Sequence, residues 1–120
     1  MHIETYRTYC LSLPGTSEGT PFGPQTLVFK VMGKMFALCG IEDFRSANLK
    51  CDPEQAVEYR EQYMAVQPGY HMNKTHWNTV MVNEDVSDEL LLQMTKDSYD
   101  LVAKTLTKAL KQELKKIADS

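Results

Sequence analysis

Residues 25–40 read QTLVFKVMGKMFALCG, two apolar runs with a glycine between them. Thr26 to Met32 is β-branched and aromatic, and Lys34 to Cys39 is similarly apolar. Gly33 stands where a tight hairpin needs positive φ. Side chains alternate across such a ribbon. Leu27, Phe29 and Val31 therefore point to one side, and Val28, Lys30 and Met32 to the other. Lys30 falls on the more exposed face, with Lys34 at the turn.

Other punctuation divides the rest of the chain. Ile3, Tyr6, Cys10 and Leu13 recur at helical spacing, and Pro14-Gly15 ends that helix. Residues 16–24, TSEGTPFGP, read as a turn-rich connection. Arg45 to Cys51 suits a short strand. Asp52-Pro53-Glu54-Gln55 is the clearest helix start, with an N-cap, a proline at the first helical position and a glutamine three after the cap. That helix is expected to run to about Val66 and to stop at Pro68-Gly69. A polar turn near Asn73-Lys74-Thr75 precedes a strand from His76 to Val82, where His76, Asn78, Val80 and Val82 alternate with Trp77, Thr79 and Met81. Ser87 caps a final helical region that Thr105 to Thr107 divides in two. Strands outnumber those of a βαβ wind. The expectation is an α+β fold, a two-layer sandwich with an antiparallel sheet and helices on one face.

The chain has 120 residues, 42% of them hydrophobic, which suits one domain over 1–120 with a single core. No run approaches the length of a membrane span, and the start lacks the pattern of a signal peptide. Three cysteines without close spacing make no disulfide framework and fit a reducing cytoplasm. The formal charge of −3 argues against a strongly basic nucleic-acid binder but leaves room for a local patch. Residues 19–41 and 62–83 contain no acid, whereas 84–100 carry six acids against Lys96 alone. Lysines 104, 108, 111 and 115 share a helix face, a pattern shared with ordinary solvated faces.

No CxxC, HxxxH or HExxH pair supports a zinc site, and no phosphate-cradling glycine loop exists. No metal or other cofactor is expected. Cys51 precedes a helix start, a place where a thiol pKa can be lowered, but no base or third group can be named for it. Tyr70 to Asn78, YHMNKTHWN, gathers donors, acceptors and two aromatics within nine residues, including the only tryptophan. Asparagine can pair with adenine edges, lysine with phosphate or guanine, and aromatic rings can stack on bases. Equally, Trp77 can be core, and Asn73 and Asn78 can satisfy a turn.

PFG at 21–23, FKVMGKMFAL at 29–38, NLKCDPE at 48–54, PGYHMNKTHWNTV at 68–80 and SYDLV at 98–102 occur in this order. Together they resemble the MmcQ/YjbR-like family of small bacterial proteins, over nearly the whole chain. The resemblance implies a CyaY-like two-layer α+β domain. It also implies a DNA-binding role, through two hairpin wings beside helices, and no attributed reaction. The matching positions are Lys50 and the 70–78 segment. Frataxin-type iron binding needs an acidic ridge on the first helix, and here that helix offers only Glu4. A shared fold does not carry function.

The leading expectation is thus a non-enzymatic, monomeric, cytoplasmic DNA-binding protein with no membrane association. Lys30, Lys34, Lys50 and Lys74 would face phosphates, while His71, Asn73, His76 and Asn78 would sit near groove edges, with Tyr70 beside them. Four phosphate contacts predict a slope of roughly −3.6 in log K against log salt, at about −0.9 each. Two rivals stand beside it. One is a small-molecule or peptide binding module with the 70–78 segment as cleft wall and Trp77 as its apolar side. The other is an enzyme using His71 or His76 as an acid–base group.

Overall fold

The computed structural model of the protein describes residues 1–70 and 72–120. Its elements run α1 (Ile3–Ser12), β1 (Thr16–Gly19), β2 (Thr26–Val31), β3 (Lys34–Gly40), β4 (Ser46–Lys50), α2 (Pro53–Gln62), β5 (Val66–Pro68), β6 (Trp77–Met81), α3 (Asp88–Lys104) and α4 (Lys108–Ala118). The six strands form one antiparallel sheet in the order β1-β2-β3-β4-β6-β5. Helices α1 and α3 cover one face, and the expected two-layer α+β architecture is what the chain adopts.

The hairpin at Gly33 forms as its sequence demands. Met32 and Gly33 have φ of 48° and 89°, the positive pair that matches a two-residue turn to the twist of the strands. Between Phe29 and Lys30 the register shifts, so β3 carries one extra residue, Phe36. The bulge turns Phe36 into the core, where it meets Phe29 and stands edge-on to Tyr99, 5.4 Å between ring centroids. The inward face reads across the sheet as Leu27, Cys39, Ala47, Val80 and Val66 in one row. All five belong to the core cluster.

Two boundaries differ from the sequence expectation. Thr16–Gly19 is not a connection but an edge strand paired with β2, its Glu18 held by Arg7 of α1 through hydrogen bonds of 2.7 Å. Helix α2 ends at Gln62, short of the expected Val66. Val66–Pro68 is instead the outermost strand, at the sheet edge where a proline without an N–H is tolerated. The caps at Asp52 and Ser87 were legible, and the break expected at Thr105 to Thr107 supplies a third. Asp52 accepts from the Gln55 N–H, Ser87 from Leu90 and Thr107 from Leu110.

Helix α3 is tied to the sheet by polar groups that its hydrophobic periodicity does not announce. The buried Ser98 hydroxyl donates to the Phe36 carbonyl at 2.6 Å and accepts from the Lys50 N–H at 2.8 Å. Ala37 and Leu49 are the last register pair of β3 and β4 at this end. The serine bridges the strands just beyond, where they part. Thr95 bonds the Tyr6 hydroxyl at 2.9 Å, joining α3 to α1.

Replacing Ser98 with alanine leaves a buried carbonyl and N–H without their partner, a loss of about 2 kcal/mol. Urea denaturation should show it as a lower midpoint at unchanged slope; an unmoved midpoint would show that the bridge contributes nothing.

Burial also makes stability fall in alkali. The Cys10 and Cys39 thiols, at most 3% exposed, are pushed up from 9.0 to about 12 by burial. In the unfolded chain they ionise near their ordinary value, so the contribution of the neutral thiols is complete below about pH 9. It is lost as pH rises toward about 12. Denaturation midpoints measured from pH 8 upward should decline over this window, and Cys10→Ala should flatten the decline.

Candidate functional site

The 69–76 connection between β5 and β6 is the segment that the sequence marks out most strongly. Its geometry is set from beneath by Arg60 of α2. The guanidinium donates to the Lys74 carbonyl, to the Trp77 carbonyl and, at 2.7 Å, to the Asn78 side-chain oxygen. Gly69 donates its N–H to the Trp77 carbonyl at 2.8 Å, and a Cβ added there would lie 2.9 Å from Trp77 atoms. Only glycine permits that approach without displacement.

Several residues expected to reach DNA are occupied within the fold. Asn78 is 3% exposed. It lies in the inward row with Phe29, Ala37, Leu49 and Pro68. Its amide donates to the Ala56 carbonyl, so it cannot sit at a groove edge. Asn73 accepts the Thr75 N–H at 2.9 Å and closes the turn. Lys74 donates to the Gly69 carbonyl at 2.9 Å, and Lys34 to the carbonyl and hydroxyl of Thr105. Both residues remain exposed and both ammonium groups keep their charge, but each already donates to a carbonyl of its own chain. Tyr70 is 69% exposed, and its N–H is held by the Thr79 hydroxyl. His76 is exposed and makes no side-chain hydrogen bond among the described residues. His71 lies outside the described residues.

Lys30 and Lys50 behave differently. Their neighbours Phe29, Val31 and Leu49 are core, so both point to the face that α1 and α3 leave uncovered. Lys50 is in register with the half-buried Trp77 of β6. Among the described residues neither ammonium has a hydrogen bond or an ion pair. The middle of this outer face is the row Gly19, Val28, Leu38, Asn48, Thr79 and Gln67, of which Val28, Leu38 and Thr79 are buried, with Thr79 bonded to Asn48 at 2.5 Å. Only one acid occurs in any strand, Glu18, and it is in register with inward Phe29 and paired with Arg7. The uncovered face therefore carries lysine and no carboxylate.

On the helix side a cleft of about 350 Å³ opens between α2 and α3. Helix α2 leans on edge strand β5 while α3 lies over β3 and β4, and the cleft opens between them. Leu49, Val80, Met94 and Leu101 provide apolar lining, with Asn78, Tyr59 and Cys51 at the walls. Trp77 belongs to the opposite face and takes no part in this cleft, contrary to its expected role as an apolar wall. The Cys51 thiol is pushed up to about 11, by burial first and then by Asp52 and Asp97. Its place before a helix start therefore does not make it a ready nucleophile.

These features can be set beside known proteins. A family model described as YjbR matches residues 11–101. The chain belongs to the YjbR family. The uncharacterized protein YbdF of Escherichia coli is 40% identical over 106 residues, covering 88% of this chain and 87% of that one. The uncharacterized protein YjbR of Escherichia coli is 30% identical over 100 residues, covering 82% and 85%. Among solved structures, a Deinococcus radiodurans protein described by the domain DUF419 superposes with a TM-score of 0.87 at 42% identity, covering 94% of this chain and 87% of that one. A Pseudomonas syringae protein superposes with a TM-score of 0.71 at 27% identity, covering 84% and 98%.

Arg60 went unnoticed in the sequence because it resembles any solvated helix cation. A signal was available: Ala56 and Arg60 are four apart and so share the helix face turned to the sheet. Replacing Arg60 with alanine removes three hydrogen bonds and should raise amide exchange across residues 69–77, while β2 and β3 keep their protection. Unaltered exchange in that segment would show that it holds itself.

Proposed function

We propose that this YjbR-family protein is a non-enzymatic DNA-binding protein whose contact surface is the uncovered face of the sheet. The observation that carries this reading is the sorting of charge. In a chain of net charge −3, that face displays Lys30 and Lys50 and no carboxylate. Trp77, beside Lys50, offers a ring on which a base can stack while the ammonium meets the adjoining phosphate. The acids lie mostly in helices and the turns beside them, six of the 16 between Glu84 and Asp100.

The shape of the face selects the form of the DNA. Six strands at about 4.8 Å spacing make a sheet roughly 24 Å across, twice the width of a major groove of about 12 Å. The face cannot enter a groove as a two-stranded ribbon does. A single strand, or a duplex segment already opened, can be laid across it. The 69–76 hairpin then forms the rim of the contact, with exposed His76 and Tyr70 near its end. The three free cysteines are consistent with a reducing cytoplasm as the place of action. No helix among the described residues is long and apolar enough to cross a membrane.

Two engaged lysines, at about −0.7 per phosphate on a single strand, give a salt slope of roughly −1.4, well short of the value expected from four. Anisotropy of labelled single-stranded and duplex oligonucleotides, at two salt concentrations, measures it. The single strand should bind more tightly and quench Trp77, and the double variant Lys30→Glu/Lys50→Glu should lose binding. Salt-independent affinity, or full binding by the double variant, excludes this surface.

A further inference from the structure

The cleft between α2 and α3 lies on the helix side of the sheet, opposite Lys30, with Lys50 among its lining residues, and its chemistry is different. We propose that it binds a short zwitterion of dipeptide size, with the ammonium between Asp52 and Asp97, an apolar body over Leu49, Val80 and Met94, and the carboxylate toward Lys104.

The volume, about 350 Å³, lies at the lower end of the range of small-molecule sites. It admits two residues of peptide and not a folded segment. Asp52, the N-cap of α2, and Asp97 of α3 both line the cleft, as does the Cys51 thiol. Each accepts one hydrogen bond from a neutral donor, Asp52 from the Gln55 N–H and Asp97 from the Gln93 amide. Neither is in an ion pair among the described residues. The third carboxylate of the lining, Asp100, is neutralised by Lys96 at 2.6 Å and is not available. Lys104 lines the cleft seven residues beyond Asp97 on α3, which places it roughly 10 Å farther along the helix axis. That separation matches the distance between the charged ends of an extended dipeptide once the lysine reaches back. Two carboxylates outside any ion pair among the described residues, Lys104 farther along α3, an apolar floor between them and Lys50 also in the lining fit a molecule with both charges. A simple amine would leave Lys104 unanswered, and a simple acid would face Asp52 and Asp97.

Four probes separate these cases: leucyl-leucine, N-acetyl-leucyl-leucine without the ammonium, leucyl-leucine amide without the carboxylate, and isoamylamine. Amide shifts of the ¹⁵N-labelled protein read binding directly. Slowed maleimide labelling of Cys51 reads it independently, because Cys10 and Cys39 are fully buried. Leucyl-leucine should shift amides of α3 near Asp97 and Leu101 and protect Cys51. Each capped dipeptide should bind about tenfold more weakly, the loss of one charge-assisted contact. Asp97→Asn should weaken leucyl-leucine by a similar factor and leave the acetylated dipeptide unaffected. Equal response to all four probes, or no shift at millimolar leucyl-leucine in a protein whose spectrum is folded, overturns the proposal. Either result leaves DNA binding at the sheet face untouched.

Discussion

The hydroxyl of Ser98 holds the two layers of this protein in register. β3 and β4 pair as far as Ala37 and Leu49 and then part, leaving the Phe36 carbonyl and the Lys50 N–H facing a gap inside the core. Unpaired, each group would cost on the order of 1–3 kcal/mol. A single serine on α3 serves both, so α3 is seated over these strands in one axial position. Tyr99, the next residue, donates to the Pro14 carbonyl and stands edge-on to Phe36. Thr95, one turn earlier, reaches Tyr6. Sheet, first helix and long helix thus share one line of polar contacts through an apolar core.

The seating of α3 has two consequences for function. It leaves one face of the sheet uncovered, and it leaves space between α3 and α2. The uncovered face retains the lysines of the strands because strands here contain almost no acid. The acids needed for solubility were placed on helices. The space exists because α2 is short and turns only Ala56 fully inward, while Arg60 spends its charge on the hairpin carbonyls. One helix therefore both anchors the polar loop and shapes the cleft. The loop that looks most like a contact surface in the sequence is largely closed on itself, and the surfaces with free charge lie on either side of it.

Much of the fold was legible. Gly33 between two apolar runs specified the hairpin because a two-residue turn requires positive φ, and local sterics decide that without reference to the rest of the chain. Asp52-Pro53 and Ser87 announced helix starts for the same local reason. The edges of the sheet were not legible. Thr16–Gly19 and Val66–Pro68 are short and polar or proline-bearing, and they are strands only because a neighbour offers them hydrogen bonds. The site was legible in part. Lys30 and Lys50 follow from alternation, which is a property of the strand itself. The internal partners of Lys74 and Asn78 were not legible because composition records that a side chain can donate or accept, but not which partner reaches it first.

Sequence alone determined the central hairpin, the helix starts at Asp52 and Ser87 and the faces of the strands it announced, because each depends on residues a few positions apart. Tertiary structure alone decided that Ser98 bridges two strands, that Arg60 closes the hairpin and that Asp52 and Asp97 line one cleft. Those contacts join groups separated by up to dozens of residues, and only packing of the core brings them within hydrogen-bonding or electrostatic range.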